Sequence, residues 1–141
     1  MQRRHVVVAA LLMTAIVTAG PAHGANAATA GARTSQIPAR VCDYDWRKGS
    51  WQVRQLIKCA AHHWNVPGGA DLALAIANRE SHFDPSAYNP SGCAGIYQHM
   101  LVYWPSRATT YGFHDWSAFN ARANIMVTMQ MVRRGGWGPW T

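Results

Sequence analysis

Glutamate occurs once in these 141 residues, as Glu80, and the acidic side chains total six against thirteen Lys and Arg. Chemistry that needs two facing carboxylates therefore has little to draw on. Apart from an N-terminal stretch there is no long apolar run, so no membrane span is expected beyond that point. Strand patterning is sparse, and no internal repeat is found. There is no zinc-finger spacing, no lysine-rich tail and no interleaving of aromatic and basic residues, which argues against a nucleic-acid partner. The seven histidines include no i,i+4 pair of a helical metal motif. The adjacent His62 and His63 point in different directions, so no metal and no cofactor is expected. No serine sits in a nucleophile-elbow context. Three cysteines suit one disulfide and one leftover thiol in an exported chain. Spacing alone leaves all three pairings open.

Residues 1–30 read as a secretory signal. Arg3 and Arg4 form a basic start, Val6 to Ala19 an apolar run, and Ala25-Asn26-Ala27 or Ala28-Thr29-Ala30 a cleavage site. The alternative is a membrane anchor, but ~14 apolar residues fall short of the ~20 a span needs. The expected location is outside the cell, associated with the wall, with no stable membrane insertion once the signal is gone. The whole chain carries +7; loss of Arg3 and Arg4 leaves +5, which suits attraction to an anionic surface or simply solubility. Residues 31–50 read as a linker or N-terminal extension. Cys42, Tyr44 and Trp46 suggest that its second half packs onto the rest. Residues 51–141 form a single domain, expected to be a monomer.

Within that domain Val53, Leu56, Ile57, Ala60, Ala61 and Trp64 recur at helical spacing, with Ser50 as a candidate cap. Val66-Pro67-Gly68-Gly69 is a turn. Asp71 is a candidate cap for the next helix, which carries Leu72 to Ala77 and delivers Glu80 to its last turn, before Pro85 stops it. The negative end of a helix dipole disfavours a second negative charge, which suits a group that must carry a proton. The plain alternative is a solvated surface glutamate. Ser86 to Gln98 is rich in Ser, Asn, Pro and Gly and reads as an irregular loop. Pro105 starts a short helix. Ser117 is read as the cap of a last helix over 118–134, ended by Gly135 and Gly136. The fold class is mainly α (α+β), a small helical domain with an irregular loop and a minimal sheet.

No second carboxylate pairs with Glu80. Asp71 lies nine residues away along the helix, ~13 Å at 1.5 Å per residue, beyond the ~5–9.5 Å of paired carboxylates. Asp84 reads as a turn residue, and Asp115 as part of the last helix's cap.

The run from Ala77 to Met100 resembles the lysozyme-like superfamily, in its soluble lytic transglycosylase branch. Glu80-Ser81 at a helix end, Ala87 and Asn89 beyond it, and Gly95-Ile96-Tyr97-Gln98 carry the likeness. Tyr103-Trp104-Pro105-Ser106-Arg107-Ala108 and Gly135-Gly136-Trp137-Gly138-Pro139-Trp140 resemble a secreted actinobacterial subgroup, so the likeness spans about Trp51 to Trp140. The resemblance implies a lysozyme-like fold and a lytic transglycosylase acting on peptidoglycan glycan strands. Glu80 would be the single acid/base, cutting the bond between N-acetylmuramic acid and N-acetylglucosamine to leave 1,6-anhydro ends. It implies substrate contacts from Gln98 and Gly95, support from Ser81 and Asn89, and places for Tyr97 and Asn124 in the substrate site. It also favours a Cys59–Cys93 disulfide, against a local Cys42–Cys59 bridge. The last helix departs from the family pattern: Asn124-Ile125 is kept, but Thr128 stands for glycine and Met131 for a tyrosine that orients the acid, with Tyr88 or Tyr97 as stand-ins. Two alternatives remain. One is a lysozyme-type hydrolase of the same bond, and the other a non-catalytic wall-binding module. Trp104, Trp137 and Trp140 are candidates for stacking on sugars, or for core and a clasping tail.

Overall fold

The computed structural model describes residues 41–141. The signal assigned to 1–30, and the linker as far as residue 40, lie outside the described residues. The architecture is mainly helical. Four helices, α1 (Ser50–His63), α2 (Gly69–Ser81), α3 (Trp104–Thr110) and α4 (Ala121–Gly135), accompany one hairpin of β1 (Cys93–Ala94) and β2 (His99–Met100). Among the described residues no helix is long and apolar enough to cross a membrane.

Helix α4 is the axis. From Ala123 to Met129 every residue is buried, the mark of a helix surrounded by its own protein. Helix α1 lays Val53, Leu56, Ile57, Ala60 and Ala61 against the core, at the spacing that puts them on one face. Helix α2 adds Ala73, Ile76 and Ala77. These small side chains let α2 lie close to its neighbours.

The helix ends differ from the sequence-based expectations. Gly49, not Ser50, precedes α1, and α2 begins at Gly69, so Asp71 falls in its first turn; neither helix has a side-chain cap. Helix α4 is capped by Asn120, whose side chain accepts from the Ala123 N–H. Ser117 instead closes its own turn by accepting from the Phe119 N–H at 3.2 Å, which delays the helix by three residues. Asp115 caps nothing; it pairs with His114 at 2.6 Å on the surface.

The disulfide joins Cys42 to Cys59, with Cα atoms 5.5 Å apart, and Cys93 is free. This corrects the expected Cys59–Cys93 pairing. Arg122 on α4 donates to the carbonyls of Val41 and Cys42, which fastens the N-terminal segment beside α1 and brings Cys42 to Cys59. Cys93 belongs to the hairpin, in register with Met100. Loss of a bridge closing a loop of this length, 17 residues of separation, costs ~3 kcal/mol in the chain-entropy model. Cys42→Ser with Cys59→Ser should therefore melt roughly 10–20 °C lower, and the native protein should show one thiol to a thiol reagent. Equal melting with and without the bridge, or no free thiol, would contradict this arrangement.

Candidate active site

Glu80 sits in the last turn of α2, as its place before Pro85 implies. The chain leaves the helix through His82 and Phe83, both in the left-handed region at φ 54° and 67°. Such a pair of non-glycine residues is strained and persists only where the surroundings fix it. Here Phe83 is buried, with the Arg54 guanidinium 4.3 Å from the centre of its ring. Ser81 Oγ lies 2.9 Å from the Ile96 carbonyl and 3.2 Å from that of Ala77. The helix end is thereby tied to the loop 86–98. Asp84 takes the turn role expected of it, accepting from Ser86 N and Oγ.

Glu80 opens onto a cleft of about 510 Å³, lined also by Arg79, Asn89, Cys93, Gln98, Met100, Arg107 and the tail residues Pro139 to Thr141. Glu80 is the one acidic side chain in this lining. Arg79 donates to its Oε1 from Nε at 3.1 Å and from Nη2 at 2.8 Å, and Nη2 also reaches the Trp140 carbonyl. A guanidinium thus stands where the helix dipole alone would leave negative charge. Among the described residues both of the Arg79 donations to Glu80 go to Oε1, and no hydrogen bond to Oε2 occurs.

The other expected site residues divide into two groups. Asn89 and Gln98 line the cleft with Glu80. Asn89 Oδ1 accepts from the Cys93 N–H at 3.2 Å. Gln98, at φ 49°, donates from Nε2 to the carbonyls of Gly95 at 2.9 Å and Ala87 at 3.2 Å. Among the described residues its Oε1 accepts no hydrogen bond.

Ser81, Gly95, Tyr97 and Asn124 are buried and serve the loop from beneath rather than reaching the cleft. Tyr97 is fully buried, its hydroxyl donating to Ala73 at 3.0 Å; burial raises its pKa well above the usual 10. Asn124 accepts from the Tyr97 N–H and donates to the carbonyls of Ala94 and Ala118. Gly95 has φ 75°, and a Cβ there would meet the Ala118 carbonyl at 2.3 Å. It would also meet Asn124 Nδ2 at 2.5 Å, so only glycine lets the loop lie this close to α4 and the turn ahead of it. The tryptophans go the same way. Trp104, Trp137 and Trp140 are buried, donating to Trp116, Pro67 and Tyr97 carbonyls; of the three, Trp140 also lines the cleft.

Gln98→Ala therefore removes two hydrogen bonds within the loop, a loss of about 1–2 kcal/mol. Activity should fall further than the added unfolding explains, because a free amide oxygen in the cleft also disappears. Thermal melts and initial rates on one preparation, taken well below the melt, check this. A rate that simply tracks the folded fraction would confine Gln98 to bracing.

Sequence reasoning assigned no site role to Arg79, Arg107 or His99. His99 is almost wholly buried, edge-on to Trp104 and Trp140. Arg107 Nη1 lies 3.0 Å from its Nδ1. A guanidinium can only donate, so Nδ1 is the bare nitrogen. The proton is then on Nε2, which donates to Thr128 Oγ1 at 2.7 Å, and Thr128 donates on to the Asn124 carbonyl at 2.7 Å. Thr128, out of place as a family residue, is what His99 needs. Arg79 could have been noticed as the neighbour of the lone glutamate; nothing in the sequence links Arg107 to His99.

Burial, with the Arg107 charge adding to it, lowers the His99 pKa from 6.5 to about 3. The unfolded chain binds a proton on this ring below ~6.5 and the folded one does not until ~3. The stability held in the neutral ring is thus complete above ~6.5 and drains away as pH falls toward ~3. His99→Gln should melt lower at pH 7, yet decline less steeply between pH 6.5 and 3. Parallel melting curves against pH would count against the neutral ring.

Among the described residues no cluster of His, Cys, Asp and Glu could hold a metal ion. A family model described as the transglycosylase SLT domain matches residues 55–134, more than half of the chain. No curated protein and no solved structure matches.

Proposed function

Since the chain belongs to the transglycosylase SLT domain family, a small lysozyme-like helical fold, we propose that it is a peptidoglycan lytic transglycosylase with Glu80 as its one acid/base. The observation that carries this reading is a single acidic side chain, at a helix end, in a cleft formed by the matched segment and the tail. Paired-carboxylate cleavage finds no second partner there.

Oε2, left unengaged by Arg79, carries the proton. It passes to the glycosidic oxygen between N-acetylmuramic acid and N-acetylglucosamine as the C1–O bond breaks. The substrate's own N-acetyl oxygen bonds to C1 in place of a protein nucleophile. Ionised Glu80 then takes the proton of the C6 hydroxyl, and the C6 oxygen bonds to C1, releasing the N-acetyl oxygen and closing the 1,6-anhydro ring. No water is consumed. One group acting as acid and then base is general acid–base catalysis in both directions. Arg79 fixes the carboxylate's orientation throughout. The basic balance of the chain and the leader read from residues 1–30 support an exported enzyme working on the anionic wall.

One observation favours a hydrolase instead. Met131 stands where the family's orienting tyrosine is expected, and Tyr97 cannot replace it, because its hydroxyl is spent on Ala73. Digestion of purified peptidoglycan with mass analysis of the fragments decides. Products lighter by one water, without reducing ends, are those of the transglycosylase; reducing muramic ends are those of a hydrolase; no soluble product leaves only wall binding.

A further inference from the structure

The cleft holds two arginines, and only one has an acidic partner. The ion pairs among the described residues are Arg47–Asp45, Arg79–Glu80 and His114–Asp115. Arg107, which also lines the cleft, is in none of them. Its side chain is nevertheless not left to wander. Nη1 is tied to His99 Nδ1 at 3.0 Å, and the guanidinium carbon lies 5.5 Å from the centre of the Tyr103 ring. His99 is itself held by Thr128, whose hydroxyl donates on to the Asn124 carbonyl. A buried neutral ring is thus used to aim a cation into a cleft, and among the described residues no carboxylate meets it.

We propose that Arg107 is a binding residue for a carboxylate carried by the glycan strand, so that the enzyme prefers acidic stretches of its substrate to neutral ones. The proposal rests on the reading of this cleft as a peptidoglycan site. With Nη1 occupied, Nε and Nη2 remain, and together they present the parallel pair of donors that a carboxylate accepts. Arg79 cannot do this while both Nε and Nη2 are held by Glu80. Two carboxylates of the substrate have the required chemistry: those of the peptide stem, and the lactyl carboxylate exposed where a stem has been removed.

The test uses disaccharide fragments of one repeat, which lack an internal bond to cut, titrated by tryptophan fluorescence. Three forms are compared: with an acidic tetrapeptide stem, with the stem removed, and with every carboxylate converted to the methylamide. The unaltered protein should bind an acidic form roughly tenfold more tightly than the methylamide, as a charged hydrogen bond would give, and salt should erase the difference. Arg107→Gln should lose the preference while binding the methylamide as before; Arg107→Lys should keep part of it. Preference confined to the stem form names the stem as the source, and preference kept by the stemless form names the lactyl group. Equal affinity of the unaltered protein for acidic and methylamidated forms overturns the proposal, as does equal loss on all forms in Arg107→Gln. A protein that cuts no wall yet shows the preference would sink the transglycosylase reading and leave this one standing; cutting without the preference would do the reverse.

Discussion

Glu80→Gln should leave a folded protein with wall-lytic activity down by ~10²–10⁴-fold, the range ascribed to a positioned general acid. Glutamine keeps the size of the side chain and an oxygen for Arg79 to bond. What it loses is the transferable proton and the charge. The charge contributes little to stability, because the Arg79 side chain of the pair is 57% exposed and such pairs are worth about 0–1 kcal/mol. The melting temperature should therefore shift by only a few degrees, while release of soluble fragments all but stops. Wall turbidity and a thermal melt on the same sample suffice. Retention of over about a tenth of the activity would end the assignment of Glu80, since the ~10²–10⁴-fold range leaves no room for it.

The second large effect is on the fold. Asn124→Leu is close in volume and suits the apolar neighbours of α4, yet it should destabilise the domain by on the order of 3–6 kcal/mol. The amide satisfies the Tyr97 N–H and the carbonyls of Ala94 and Ala118, all in buried residues. Each group deprived of its partner costs about 1–3 kcal/mol. That is comparable with the whole stability of a small domain. Urea unfolding followed by circular dichroism checks this. A variant that unfolds at the same urea concentration as its parent would mean that the loop 86–98 is anchored elsewhere.

The contrast between these two residues shows what could be read from the chain alone. Glu80 was legible because its determinants are local: an apolar helical segment, a lone carboxylate, and Pro85 just beyond. The same holds for the minimal sheet and for the helices α1 and α3. Asn124 was placed in the substrate site by the resemblance alone, through the Asn124-Ile125 pair of the last helix. Its partners lie 27 and 30 residues away, and no spacing rule announces them. The burial of Tyr97 and Gly95 depends in the same way on contacts distant in sequence. A motif that shapes a loop and a motif that touches a ligand look alike in sequence. The cysteines failed differently. Pairing Cys42 with Cys59 depends on Arg122, far along the chain, catching the carbonyls of Val41 and Cys42. The start of α4 was missed by three residues because Ser117 and Asn120 are both good caps, and the preceding turn decides between them.

The tail has a consequence in time. Trp137 and Trp140 dock on Pro67 and Tyr97, and the Trp140 carbonyl receives Arg79. Residues 139–141 also form one wall of the cleft. A chain still lacking these residues has made α2, Glu80 and the hairpin, but has neither that wall nor the tether that completes Arg79. The wall that residues 139–141 form is thus added only after the rest of the lining has been made. A stop introduced ahead of residue 137 would leave the cleft open on that side, with Arg79 held by Glu80 but not by the Trp140 carbonyl.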